Sequence, residues 1–219
     1  MDKRKELQTY WEKEIKPQLD PLHNAAGNLL YYVFQTPYHF QPELLIVGIN
    51  PGGDYDGIPF LDRETNWYTE GEKYPFSNRM CAVFGRGENE QLFKLLENAV
   101  GMNKVFFNSG TVEKLKKTNK KEEMETLCGK ITEELIDRFI QPTKWILAMG
   151  NNPFYGVKGK GEKVESFKLG NAIIKKSKRN GIPVYYIPNP SGRNYRYYSE
   201  NQIKLYQEYF VNEFLTQKH

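Results

Sequence analysis

Four short apolar runs, at residues 43–49, 104–107, 143–149 and 183–187, are separated by longer stretches in which apolar residues recur at helical spacing. No other feature of the chain constrains its fold as much. Strands that alternate with helices build a parallel sheet covered on both faces. Helical spacing is read at the N-terminus (Leu7, Trp11, Ile15), over 90–100 (Leu92, Leu95, Leu96, Ala99) and over 121–140 (Met124, Leu127, Cys128, Ile131, Leu135, Phe139). A closing helix is predicted over 199–215 (Ile203, Tyr206, Phe210, Phe214), with Ser199 as its N-cap. A further helix is expected near 162–178, and a long loop rich in Gly, Pro and aromatics over 51–87. The expected architecture is a three-layer α/β/α domain spanning residues 1–219, with a central, mainly parallel four-stranded sheet and an N-terminal helical extension over about 1–40.

Right-handed crossovers bring the C-terminal ends of all such strands to one edge, and ligands of open α/β sheets bind outside that edge. The residues just past the four runs are Asn50, Asn108, Asn151 with Asn152, and Asn189. A single asparagine is a good turn residue. Amides at every strand end suit a second purpose, because an amide offers an acceptor and two donors but takes no proton near neutral pH. That suits reading the edge of an uncharged polar ring such as a nucleobase. General-base catalysis is poorly served by it. The three histidines, His23, His39 and His219, lie far along the chain from these ends, and neither a Ser-His-acid elbow nor a GxxxxGK[ST] phosphate loop is present.

Two cysteines exclude four-cysteine zinc or iron–sulfur sites, and no cofactor is expected. Asp54, Asp56, Asp62 and Glu64 form a loose acidic cluster, the one alternative that would hold a metal. Net charge is 31 − 27 = +4, too mild to prove a polyanionic partner, and the local basic runs at 114–121 and 175–179 read first as solvated surface. The charged N-terminus lacks an apolar signal core and no run approaches eighteen apolar residues, so a cytoplasmic protein with no membrane partner is expected.

Gly48-Ile49-Asn50-Pro51-Gly52 resembles the first active-site motif of the uracil-DNA glycosylase superfamily, as used by its mismatch-specific and single-strand-selective monofunctional branches. Gly57-Ile58-Pro59-Phe60 resembles the GxPF segment of the single-strand-selective branch. Asn189-Pro190-Ser191-Gly192 resembles the second motif of the mismatch-specific branch, while Arg193-Asn194 is similar to the single-strand-selective version. Val105-Phe106-Phe107-Asn108 falls where the family has a strand ending in a base-reading asparagine, and residues 145–150 resemble its third core strand. The likeness covers residues 44–194 in the family's order. Asn189 stands where the most active branches have a histidine, and the four-cysteine cluster of the thermophilic branches is absent.

The resemblance implies a DNA glycosylase of base excision repair. Such an enzyme flips uracil or a related damaged or mismatched base out of the stack and hydrolyses its N-glycosidic bond. By the same resemblance, Asn50 positions the water and Asn189 stabilises the leaving base. Gly48, Ile49, Pro51 and Gly52 line the base site, and Asn108 reads the base edge. Phe60 covers the ring face or else packs under its loop, with Phe76 as the alternative stacker. Ser191, Gly192, Arg193, Asn194 and Arg196 meet DNA, with Tyr197 and Tyr198 either joining them or docking the last helix. A monomer is expected, acting at the nucleoid. The alternatives are a member that binds nucleic acid or a nucleoside without cleaving it, and a hydrolase of free nucleosides or nucleotides.

Overall fold

The computed structural model describes residues 2–26, 29–49, 65–70, 74–108 and 119–216, without the side chains of residues 192 and 193. Its sheet has six strands rather than four: β1 (Leu44–Gly48), β2 (Val100–Asn103), β3 (Trp145–Met149), β4 (Glu165–Leu169), β5 (Ala172–Arg179) and β6 (Ile182–Ile187), in the order β2-β1-β3-β6-β5-β4. The first four in that order are parallel, and β5 and β4 continue the sheet antiparallel.

The additional strands occupy the stretch expected to be helical. Burial over the first half of β5 alternates, with Ala172 and Ile174 inward and Ile173 exposed, and the second half buries Ser177 and Arg179 on the other face. That is the two-residue period of a pleated strand. The β5–β6 turn carries Asn180-Gly181, both at positive φ (50° and 84°), the backbone a tight hairpin demands. The interspersed lysines hid this alternation, because their aliphatic stems cover apolar surface while their charges stay wet.

The helices are α1 (Lys3–Tyr10), running through a π turn (Trp11–Ile15) into α2 (Lys16–Ala25), then α3 (Pro75–Val83), α4 (Glu90–Glu97), α5 (Lys121–Glu134), α6 (Asn151–Val157) and α7 (Glu200–Phe210). Asp2 and Asn89 cap α1 and α4 through their side-chain oxygens, whereas Ser199 sits at the N-cap position of α7 without a side-chain bond. Helix α3 falls inside the stretch read as loop. The helical extension ends at Ala25 rather than near residue 40. Residues 31–34 run as an extended strap instead, with antiparallel bridges from Phe34 to Met102 and from Tyr31 to Phe107. The strap shields the outer edge of β2, which would otherwise leave unpaired backbone groups.

Two cores lie on the two faces of the sheet. Leu45, Val47, Val100, Met102, Ile146, Ala148 and Val184 pack against α1, α2, α5 and α6. Leu44, Ile46, Trp145, Leu147, Met149, Tyr185 and Ile187 pack against α3, α4 and α7. Odd and even residues of β1 thus serve different layers, which is why its run reads as continuously apolar.

Candidate base-binding edge

The parallel strands end side by side at Asn103, Gly48, Met149 and Ile187, in that spatial order. Gly48 and Asn103 are direct register partners. A Cβ on Gly48 would stand 2.7 Å from Asn103 Oδ1 and 3.6 Å from Met149 Cε, so the missing side chain is the space the Asn103 amide occupies. Asn103 is only 4% exposed, and its Nδ2 is buried without a hydrogen-bond partner among the described residues. A buried donor left idle costs free energy unless a ligand uses it.

Asn103 was not singled out from the sequence. Strand β2 comprises residues 100–103, not 104–107, and the reason is visible in the hydrogen bonds. Lys104 and Val105 donate to the carbonyls of Gly48 and Ile49 (2.9 and 2.8 Å), after which the chain turns onto the strap. There Tyr32 donates to Phe106 O at 3.0 Å and Asn108 to Leu30 O at 2.7 Å. Val105, Phe106 and Phe107 are all buried in the same core, so this apolar run packs without strand alternation. Asn108 is itself buried, at 8% exposed, five residues beyond the end of β2. The true strand, Val100-Gly101-Met102-Asn103, was obscured by Gly101, where a Cβ would stand 2.3 Å from the Tyr68 ring.

Beyond β3, Gly150 takes φ 106° and donates to Ile187 O at 2.9 Å, tying the ends of β3 and β6 together. Asn151 and Asn152 then open α6, both exposed.

The segment after β6 is tied at each successive carbonyl. Tyr198 Oη donates to Pro188 O, Asn194 Nδ2 to Asn189 O at 3.1 Å, and Arg79 Nη1 to Pro190 O. The Arg79 guanidinium also lies 5.9 Å from the Tyr198 ring centroid, and burial holds the Tyr198 hydroxyl well above its ordinary pKa, a neutral donor. Asn189 Oδ1 accepts from Ser191 N at 2.9 Å. That bond orients the half-buried amide, and Nδ2 is the end it leaves for another acceptor. Arg79 comes from α3, three residues past Phe76, and was not itself singled out from the sequence.

Asn194 is half-buried, while Ser191, Arg196 and Tyr195 (69% exposed) face outward along a 3-10 turn, Gly192–Tyr197. Arg196 donates to Tyr197 Oη at 2.7 Å, and Tyr198 packs into the core beneath α7. Phe76 is half-buried against Tyr68, ring centroids 5.8 Å apart. Asn50, Pro51, Gly52, Phe60 and the acidic residues Asp54, Asp56, Asp62 and Glu64 lie outside the described residues, as do the side chain of Arg193 and most of the basic run at 114–121. Among the described residues there is no cluster of three or more His, Cys, Asp or Glu able to hold a metal ion. His39 lines a groove with Leu44 and Trp145, at the opposite edge of the sheet.

A family model for the uracil DNA glycosylase superfamily matches residues 36–211. No curated protein matches the chain. The match takes in every strand but begins just after the strap and leaves out α1 and α2.

Proposed function

The chain belongs to the uracil DNA glycosylase superfamily, whose members generally hydrolyse N-glycosyl bonds in DNA, and on that premise we propose that it excises uracil or a related damaged or mismatched base. The observation that carries this reading is the pair of amides at one sheet edge. Asn103 holds an idle buried donor over Gly48, and Asn189 is turned so that its donor end remains available.

A base flipped to this edge meets Asn103 first. Its amide matches the alternating donors and acceptors of a pyrimidine edge, and we assign the reading role to it in place of Asn108. As the C1′–N bond lengthens, the bonding electrons pass to the base and negative charge gathers on O2. Asn189 Nδ2 is the donor for that charge, and a donor already oriented costs little reorganisation as the charge develops. Asn50 positions the water whose oxygen bonds to C1′. The water's proton leaves to solvent, and the released base takes up a proton in turn. Since an amide cannot deprotonate the water, rate comes from position and electrostatics rather than general-base catalysis. Ser191, Gly192, Arg193, Asn194 and Arg196 meet the DNA around the vacated base position. Phe60 covers the base; the burial of Phe76 against Tyr68 supports a packing role for that ring.

The test is base release from oligonucleotides carrying one uracil, hypoxanthine or ethenocytosine, in single-stranded, G-paired and A-paired contexts. Abasic-site cleavage reports the release. Release that disappears in Asn50→Ala supports the assignment and gives the base preference. Tight, salt-sensitive binding without release from any substrate favours a non-cleaving member. Release from free nucleosides alone would replace DNA as the substrate.

A further inference from the structure

The β4–β5 hairpin has no part in the base site, yet its outer face adjoins the same edge. By register, Ser166 stands beside Lys175 and Lys168 beside Ile173, and Lys175 stands beside Tyr186 of β6. Ser166, Lys168, Ile173 and Lys175 therefore share one face, with Ile173 49% exposed and Tyr155 of α6 54% exposed next to them. Among the described residues, Lys175 is held in place without a carboxylate. Its Nζ donates to Asn151 Oδ1 at 2.7 Å and to Tyr155 Oη at 3.1 Å, and it stands 4.7 and 5.3 Å from the ring centroids of Tyr155 and Tyr186. By contrast the next lysine, Lys176 on the other face, pairs with Glu213 at 2.7 Å.

Immobilising a lysine costs rotamer entropy, and neutral partners leave its charge to be answered from outside. Asn151 lies just past the end of β3, so this fixed cation is bonded directly to the edge where the base is read. The register partner of Lys175, Tyr186, is three residues before Asn189, so the two lie at most about 10 Å apart along the chain. Phosphates on one strand recur about every 3.4 Å of helix axis, so 10 Å corresponds to about three nucleotide steps.

We propose that Lys175 and Lys168 form a second DNA-backbone contact, gripping phosphates of the strand that flanks the flipped nucleotide while Tyr155 and Ile173 rest against its sugars. This rests on the reading of DNA as substrate, though not on its cleavage. The hairpin thereby extends the footprint beyond the Ser191 to Arg196 segment and makes productive binding depend on DNA length.

The test is equilibrium binding of a fluorescent duplex of about twenty base pairs across a salt series, with base release measured separately. Lys175→Gln keeps a hydrogen-bonding side chain between Asn151 and Tyr155 but removes the charge, and Lys168→Ala removes the second cation. Each is expected to lower the slope of log K against log salt by about 0.9, equivalent to about eight-fold weaker binding at 0.1 M salt. Lys178→Ala, exposed on the same strand but beside Pro183 at its far end, serves as control and leaves the slope unchanged. An unchanged slope in the two test variants, or an equal loss in Lys178→Ala, overturns the proposal, as does a native protein that does not bind duplex at all. Base release by the native protein with unchanged slopes sinks the hairpin contact alone. Altered slopes without any base release sink the glycosylase reading and leave the contact standing.

Discussion

Replacing Gly48 by alanine tests the site through the space it depends on. The new methyl would stand 2.7 Å from Asn103 Oδ1, and ordinary contact begins at 3.4 Å, so the amide must retreat by 3.4 − 2.7 = 0.7 Å. Pushing a side chain off its rotamer costs about 0.5–1.5 kcal/mol. Gly48 is not at positive φ, so alanine also recovers about 0.4–1 kcal/mol by restricting the unfolded chain. The two effects nearly cancel, and for a chain of this size the melting temperature should move by no more than about 2–4 °C. Function should respond far more strongly. A displacement near 1 Å at a positioned group costs up to about 100-fold in rate, so kcat/KM for base release should fall by about 10- to 100-fold. Single-turnover cleavage of a uracil-containing oligonucleotide measures the loss, with thermal melting as the fold control. Asn103→Ala should produce a comparable loss, and adding Gly48→Ala to it should cost little more, since the amide it displaces is already gone. Full activity in Gly48→Ala, or losses that simply add, would refute the placement of Asn103 over the base.

Asn103→Asp should change which base is accepted, whereas Asn108→Asp should lower the melting temperature without altering base choice, because it buries a charge beside the strap; competition assays with paired substrates separate the two. Arg79→Ala removes the guanidinium from Pro190 O and from the Tyr198 ring, and kcat/KM should drop by about 10- to 100-fold, since a hydrogen bond from a charged group contributes about 1.5–3 kcal/mol. Arg79→Lys should restore little of it, because an ammonium lacks the planar fork. Gly101→Ala should be destabilising by about 1–3 kcal/mol, read by denaturant titration, because its methyl would stand 2.3 Å from the buried Tyr68 ring. Both cysteines are buried and burial pushes the Cys128 thiol up to about 12, so at pH 8 thiol reagents should label the native protein only as fast as it unfolds.

The sequence alone determined the layered architecture, the family and the positions of β1, β3 and the last strand, because those runs are apolar on both faces and end in recognisable turn residues. Helices α5 and α7 were legible for a similar reason: a 3.6-residue stripe is a local property. Asn189 was singled out through the motif around it, and its place just past β6 follows from that strand's apolar run. Only the tertiary structure decided which residues belong to β2, since Gly101 gives way to Tyr68 and the apolar 105–107 run is claimed by the strap and the N-terminal helices. It likewise turned the lysine-rich stretch into a hairpin, whose two-residue alternation takes shape only against a neighbouring strand. Arg79 reached the second motif by the same route, across 111 residues of chain. The physical reason is common to all three. Periodicity reports which face of an element is apolar, but the partner that covers that face comes from elsewhere in the chain, and it is the partner that selects the register, the strand end and which amide stands at that edge.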